Sequence, residues 1–595
     1  MNRASKTTVD SEPEIAQSRS SARRILDLIP ALRWTRQYRW SQFSGDLTAA
    51  IIVTIMLIPQ SLAYAMLAGL PPEIGLYASI LPLVAYALFG TSRTLAVGPV
   101  AIVSLMTATA ASSVAAQGSA EYLAAAILLA ALSGIMLAAM GLFRLGFIAN
   151  FLSHPVIAGF IASSGILIAV GQLRHLLGIS AGGQTLQAML ASLGQHIAEI
   201  NGATATIGIL SLAALVLARR YLKSALAFIG MPPRAADAIA RSGPVFVVIA
   251  ATLAVAGFAL KAKGVAVVGA IPAGLPPIAL PGIDLDLVLQ LVLPAFMISL
   301  VGFVESVSVG QTLAAKRRQR IEPNQELIGL GVANIASAIC NGFPVTGGFA
   351  RSVVNFGAGA ETPAAGAFAA VGIALATLYL TPYLADLPQA TLAATIIVAV
   401  LSLVDFSVLR RTWNYSKADF AAMAATMLIT LAVGVEQGIL AGVALSLALF
   451  LYRTSRPHMA IVGLVPGTEH FRNIRRHDVL TSEEILTLRI DESLYFANSR
   501  YLEDRITELV ADRPRLRHLI LMCSAINDID ASALESLEEI NRRLADGGVT
   551  LHLSEVKGPV MDRLAKTSFL KDLTGKVFRS QFDAIAVLDP SVLAA

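Results

Sequence analysis

Four side chains able to do chemistry stand in runs that otherwise read as lipid-embedded helix. Gln60 and Tyr64 lie in PQSLAYAMLAGLPP, Glu305 in LVGFVESVSVG and Arg351 in CNGFPVTGGFARSVVNFGAG. Gln60 and Tyr64 are four apart, which puts them on one helix face beside Pro59, expected to break that helix. An amide and a phenol can donate to an oxyanion without adding charge. Two satisfied polar core residues are the plainer reading of that pair. A charge in mid-bilayer is expensive and usually functional. Glu305 is therefore a candidate proton carrier, with Arg351 its natural ion-pair partner; a purely structural pair is the competing reading. The stretch Cys340–Gly359 carries Pro344, Gly347 and Gly348 where a spanning helix would carry Leu and Val. In hydrocarbon, broken backbone survives only where it is buried in protein or lines a cavity. A helix restarting near Thr346 would aim free N–H groups and the positive end of its dipole into that cavity. Arg351, one turn inside, would strengthen an anion site built from backbone; a kinked packing helix with a snorkelling arginine is the plainer reading.

The whole chain supports a membrane setting. Its 595 residues are 55% hydrophobic and 14% charged, with mean hydropathy +0.68. Soluble domains carry about 25% charge, so the chain reads as a polytopic membrane protein. The net charge of +5 fits basic cytoplasmic loops and does not call for a nucleic-acid partner. Cys340 and Cys523 fall in different parts of the chain, so no disulfide framework is implied. The first apolar run begins near Asp46, too far in and too long for a cleavable signal. There is no zinc spacing, nucleotide loop or nucleophile–base set, so neither a metal, a cofactor nor an enzyme is expected. His154 reads as a helix-start residue with no metal or proton role.

Apolar runs of about the 20 residues needed to span fall at 46–68, 74–90, 96–111, 121–143, 147–170, 203–219, 243–261, 287–315, 325–343, 346–358, 363–383, 389–405, 417–436 and 437–454. That is about fourteen segments. Arg93, Arg144, Arg219, Arg220, Lys316 to Arg320, Arg410, Arg411, Arg453 and Arg456 follow even-numbered ones, whereas Glu73, Glu121, Asp284, Asp286 and Asp386 follow odd ones. The positive-inside rule then places both termini in the cytoplasm, with Lys261 and Lys263 as exceptions. The third segment opens on Gly98-Pro99-Val100-Ala101 and the tenth on Phe343-Pro344-Val345-Thr346. The offset that carries Pro99 onto Pro344 also carries Gln60 onto Glu305. Paired breaks at corresponding positions of two halves point to a transporter's midplane site and fit a seven-plus-seven inverted repeat, with chance similarity of apolar runs as the alternative.

Residues 1–45 precede this region: a polar, Ser-rich start, then basic and aromatic residues from Arg23 to Trp40 that suit the inner membrane face. A segment packed on the tail domain is the alternative. The transmembrane domain is read as 46–455 and a cytosolic tail as 456–595. In the tail, ILTLRI (485–490), HLILMC (518–523), VTLHLS (549–554) and DAIAVL (583–588) read as strands, and 498–512, 531–546 and 558–566 as helices. Strands alternating with helices argue a small α/β domain. Asp530 or Ser532 is placed to cap the helix that follows HLILMC, and capping is favoured over phosphate binding at that turn.

PQSLAYAMLAGLPPEIGLYAS, FGTSRTLAVGPVAIVSLM, FVESVSVGQTLA and NGFPVTGGFARSVVN resemble the signatures of the SulP anion permeases over about 40–455. SLYFANSRYLEDRI and DIDASALESL resemble their STAS domain over about 460–590. The resemblance implies core and gate domains made by the inverted repeat, elevator-type movement of one against the other, a homodimer, and a multi-pass cell (inner) membrane location. By motif position it implies anion binding by Gln60, Tyr64, Val100, Ala101, Gly348, Phe349, Ala350 and Arg351, and proton coupling by Glu305. Many members have Ser at the place of Ala350, so one donor is lost here. Ser532 occupies the phosphoacceptor position of related domains. The expected function is secondary active anion transport, foremost proton-coupled uptake of a sulfate-like oxyanion. Bicarbonate with sodium and dicarboxylate with proton remain open within the class; an anion channel and a STAS-centred signalling protein remain open outside it.

Overall fold

The structure, a computed structural model, describes residues 29–594 apart from 152, 233–235, 237–238, 241, 281 and 283. Arg23, Arg24 and the Ser-rich start lie outside the described residues. The chain divides into two compact units between Ser446 and Leu447.

A helix stands in each of the fourteen apolar segments: α1 (Trp40–Leu67), α2 in two pieces (Pro72–Tyr77 and Leu81–Phe89), α3 (Ala101–Ser112), α4 (Ala120–Leu142), α5 (His154–Leu177), α6 (Gly202–Leu217), α7 (Gly243–Gly257), α8 (Leu285–Lys316), α9 (Pro323–Ile339), α10 (Phe349–Gly357), α11 (Ala364–Tyr379), α12 (Gln389–Leu401), α13 (Lys417–Ala432) and α14 (Val435–Ser455). This is a polytopic all-α membrane fold with a seven-plus-seven inverted repeat. Several helices start where a side chain takes up a free amide: Ser119, Asn201 and Ser416 accept from Tyr122, Thr204 and Asp419 respectively. Gly178, at φ +69°, ends α5 in the left-handed conformation that glycine adopts without strain.

Short α3 and α10 are what the two breaks leave. Each is preceded by extended backbone instead of helix: β1 (Val97–Gly98) and β2 (Thr346–Gly347), which pair antiparallel, Val97 opposite Gly347 and Gly98 opposite Thr346. The helix after Pro344 therefore restarts at Phe349, three residues later than the sequence suggested, because Thr346 and Gly347 are spent on this ladder. Pro59 is a second correction. It sits inside α1, which runs on without a break.

Two buried carboxylates staple the loops around this frame. Asp46, fully buried, accepts from the Glu361 and Thr362 amides at 2.7 and 3.0 Å and from the Thr362 hydroxyl at 2.6 Å. Glu326, also fully buried, accepts from the Thr91 and Ser92 amides at 2.8 and 3.0 Å and from the Tyr86 hydroxyl at 2.7 Å. A buried carboxylate is tolerable when each lone pair meets a donor in this way. Ahead of α1, Trp34 donates to the Ala87 carbonyl in α2 at 3.2 Å, so this part of the basic–aromatic segment packs on the helical unit.

The C-terminal unit carries a six-stranded sheet in the order β4-β3-β5-β6-β7-β8. The strands are β3 (Met459–Leu464), β4 (Phe471–Asn473), β5 (Ile485–Ile490), β6 (His518–Met522), β7 (Thr550–Ser554) and β8 (Val577–Phe578). β5 through β8 run parallel, and β3 joins β4 and β5 antiparallel. The helices α15 (Ser499–Ala511), α16 (Ala531–Asp546) and α17 (Gly558–Leu564) lie near their expected places. DAIAVL is helical, not a strand: it lies in α18 (Gln581–Leu588). Ser580 accepts from the Asp583 amide and starts that helix, and the edge position in the sheet is taken by Val577–Phe578. Cys340 and Cys523 are both free and buried.

Candidate functional site

Extended backbone inside a membrane protein must hand its N–H and C=O groups to something. Here side chains of α8, α9 and α10 receive them. Asn334 brackets Val345, donating to its carbonyl and accepting from its amide, both at 2.9 Å. Ser337 donates to the Phe343 carbonyl at 2.7 Å. Ser306 accepts from the Gly347 amide at 2.9 Å and shares a 2.7 Å hydroxyl bond with Thr346, which donates to Gly302. On the other strand, the Ala96 amide donates to Ser352 at 3.0 Å, and Asn355 donates to the Thr94 carbonyl at 3.0 Å. The sequence reading missed all of these. Their only signal is polar spacing of three on apolar helices, Asn334 with Ser337 and Ser352 with Asn355.

With the strands satisfied, the helix starts are left free. Val100 and Gly348 are the N-cap residues of α3 and α10, both extended and neither making a side-chain cap bond. Among the described residues, the first-turn amides of Ala101 and Ile102, and of Phe349 and Ala350, have no acceptor. The antiparallel pairing of β1 and β2 brings these two amide-rich ends to one place. Each end carries about half a positive charge.

Arg351 lies between them and is 2% exposed. Its Nη1 donates to the Pro99 carbonyl at 2.6 Å, across the break from its own helix. Gly98 and Gly348 make room for it: a Cβ on Gly98 would stand 3.4 Å, and one on Gly348 2.9 Å, from guanidinium nitrogens. The Nε and Nη2 atoms are buried with no hydrogen-bond partner. Gln60 and Tyr64, 6% and 8% exposed, make no side-chain hydrogen bond among the described residues. Gly347 and Pro344 are buried in the strand segment, Ala350 is half-buried, and Phe349 is exposed.

The expected ion pair between Glu305 and Arg351 is absent. The Arg351 guanidinium is committed to the Pro99 carbonyl, and Glu305 Oε2 is buried without a partner. Glu305 instead borders an apolar cavity with Ile102, Phe160, Val301 and Ile439. The Glu305 carboxylate and the Tyr64 hydroxyl nevertheless lie within reach of the Arg351 charge. A further cavity, lined by His154, Ser308, Gln311 and Asn324, shares Ile157 and Val304 with the Glu305 cavity. His154 is the first residue of α5, as expected. In the tail, Asp530 caps α16 through the Ala533 amide at 2.9 Å, and Ser532 is exposed in its first turn. No cluster of three metal-ligating side chains is found among the described residues.

Such an arrangement offers an anion two helix starts and the unpartnered Nε and Nη2 donors of Arg351, with the Tyr64 phenol and the Glu305 carboxyl in the neighbourhood of that charge. Comparison with known proteins gives the frame a lineage. "Sulfate transporter 4.1, chloroplastic" of Arabidopsis thaliana is 36% identical over 575 residues, covering 94% of this chain and 82% of the relative. A probable sulfate transporter of Mycobacterium tuberculosis is 32% identical, covering 91% and 94%. The solved structure of murine Solute Carrier 26 family member A9 superposes with a TM-score of 0.86 at 22% identity, over 98% of this chain and 97% of that one. The transmembrane domain of the cyanobacterial bicarbonate transporter BicA gives 0.58 at 21% identity, over 68% and 98%. At those identities the two structures speak for the fold alone. The model of the sulfate permease family matches residues 43–426 and that of the STAS domain residues 476–584, so the chain belongs to the sulfate permease family and carries a C-terminal STAS domain.

Proposed function

We propose that the protein is a secondary active anion transporter of the cell (inner) membrane, taking up a sulfate-like divalent oxyanion together with a proton. The observation that carries this reading is Arg351, a buried guanidinium with two unpartnered nitrogens, set between two uncapped helix starts. A buried cation left short of acceptors is costly unless an anion completes its bonds. The relatives' names as sulfate transporters favour sulfate among the oxyanions. In this reading Gln60, Tyr64, Val100, Ala101, Gly348, Phe349, Ala350 and Arg351 form the anion site, and Ala350 leaves it one hydroxyl donor short. Glu305 carries the coupled proton through the apolar cavity, and Arg351 senses its charge without touching it. The site's frame moves as an elevator core against a gate, both termini lie in the cytoplasm, the assembly is a homodimer, and residues 46–455 form the transport domain. The chemistry is transport, with no bond made or broken.

The test is uptake into proteoliposomes holding the full-length protein, with radiolabelled sulfate, bicarbonate and succinate, each with and without a proton or sodium gradient. Sulfate accumulated against its gradient under an imposed proton gradient is the expected result. Uptake that only equilibrates would mean a channel. Accumulation driven by sodium, or of bicarbonate or succinate alone, would replace the proposed substrate or coupling ion.

A further inference from the structure

Another cavity lies at the other end of α3 from the anion site. Its walls are the last turns of α3 and α5 and the loop at Gly182–Gln184, and its volume is about 280 Å³. Thr109, on its wall, is eight residues along α3 from Ala101, or about 12 Å at 1.5 Å per residue.

The lining is polar on one side and holds a single formal charge, Arg174, with no carboxylate. Arg174 is poorly satisfied by the protein. Its Nε donates to His175 Nε2 at 3.1 Å, and among the described residues its only other bond is a 3.5 Å contact from Nη1 to the Ala181 carbonyl. A guanidinium has five N–H donors, and Arg174, half-buried on the cavity wall, keeps the others open to an ion or to water there. Gln172, two residues earlier on α5, is 5% exposed and lines the same cavity. Its side chain makes no hydrogen bond among the described residues. Gln117 and Gln184 add two amides at the rim. A cleft lined by one sign of charge concentrates ions of the other sign. A cavity needed only for packing would be apolar or would satisfy its own donors.

We infer that this cavity is a second anion-binding station, holding a small inorganic oxyanion on the Arg174 guanidinium with the Gln172 amide as a second donor. An ion there waits one helix length from Arg351 and refills the central site. The inference deepens the transport reading, but binding at the station does not depend on transport, and the test uses none.

A cysteine is placed at the rim, Gln184→Cys, in detergent-purified full-length protein; the native Cys340 and Cys523 are buried. Labelling rates are compared for an anionic and a cationic methanethiosulfonate reagent, with and without millimolar inorganic sulfate at constant ionic strength. The anionic reagent should react about tenfold or more faster than the cationic one, and sulfate should slow it. Adding Arg174→Gln should abolish both effects, Arg174→Lys should keep the preference, and Gln172→Leu should weaken protection alone. Equal elution profiles verify that each variant is folded. Preference and protection unchanged in Arg174→Gln would overturn the station. Adding Arg351→Gln separates it from the central site: protection that persists supports an independent station, and protection that vanishes overturns it. Loss of uptake in that same variant bears only on the transport reading.

Discussion

Arg351→Gln separates an anion ligand from a structural staple, because the two roles predict different effects on the empty protein. Within the protein Arg351 makes one charge-assisted bond, to the Pro99 carbonyl at 2.6 Å, and buries Nε and Nη2 unpaired. Losing a bond of that kind costs about 1.5–3 kcal/mol, whereas leaving a buried donor unsatisfied costs about 1–3 kcal/mol apiece. Replacement by neutral Gln removes one favourable term and strands the Pro99 carbonyl, but it also removes two unfavourable terms of similar size, so the anion-free variant should melt close to the wild-type temperature. With anion bound the balance tips against Gln. Two charge-assisted bonds to an oxyanion are worth about 3 kcal/mol at the low end, and a Gln amide restores about 1 kcal/mol of that. A net loss of about 2 kcal/mol or more raises Kd roughly thirtyfold or more. Sulfate at a hundred times the wild-type Kd stabilises the wild type by about 2.7 kcal/mol; the same concentration should stabilise Arg351→Gln by about 1 kcal/mol or less. Thermal unfolding of the purified protein across a sulfate titration reads both quantities, and uptake KM reads the second again. A melting temperature that falls steeply without sulfate, with an unchanged sulfate-induced rise, would refute the reasoning and leave Arg351 as a staple.

Glu305→Gln should transport sulfate at a rate that no longer follows external pH while keeping KM within about threefold, since Glu305 does not bond Arg351; pH-dependent uptake equal to wild type would remove Glu305 from coupling. Ser306→Ala strands the buried Gly347 amide and should lower stability by about 1–3 kcal/mol, read as a lower melting temperature; a change under about 0.5 kcal/mol would mean that α8 does not support the break. In the tail, burial first, then the neighbouring His518 and Lys576, depress the His552 imidazole from its usual 6.5 to about 4. Between those values the unfolded tail binds a proton that the folded tail refuses. Its stability should therefore be full above about pH 6.5 and fall as the pH drops toward 4, by at most about 3 kcal/mol. Hydrogen exchange of β6 and β7 amides in the full-length protein measures this, and His552→Gln should flatten the profile; identical protection at pH 7 and pH 4.5 would contradict it.

Sequence alone exposes the two breaks because proline and paired glycines have no other business in a run of Val, Ala and Leu. It does not expose what repairs them. Asn334, Ser337, Ser352 and Asn355 are single polar residues of a kind that also pack helices without further role, and their partners lie on other segments. The partner of Arg351 is hidden for the same reason. Charge pairing pointed to Glu305, yet the nearest acceptor is a backbone carbonyl in the opposite half, at Pro99, and a carbonyl has no signature in a list of side chains. DAIAVL alternates well enough for a strand, yet it lies in a helix that the Ser580 cap starts. Pro59 shows the converse: a proline that the sequence marks as a break is carried inside a long helix.

These repairs also constrain how the site can open. The two half-helices are joined by the β1–β2 ladder, by Arg351 to Pro99, by Ser352 to Ala96 and by Asn355 to Thr94. Pulling α3 away from α10 would strand buried donors and acceptors at each of these places, at about 1–3 kcal/mol apiece. Alternating access by spreading the half-helices is therefore expensive. Around the Glu305 cavity, by contrast, the frame meets α5 and α14 through apolar side chains, Ile102 and Val301 on one side and Phe160, Ile161 and Ile439 on the other. Apolar surfaces slide without leaving a polar group unpaired. In the proposed elevator movement the frame would keep Arg351 with both helix starts, and the apolar seam beside Glu305 would be where it shifts.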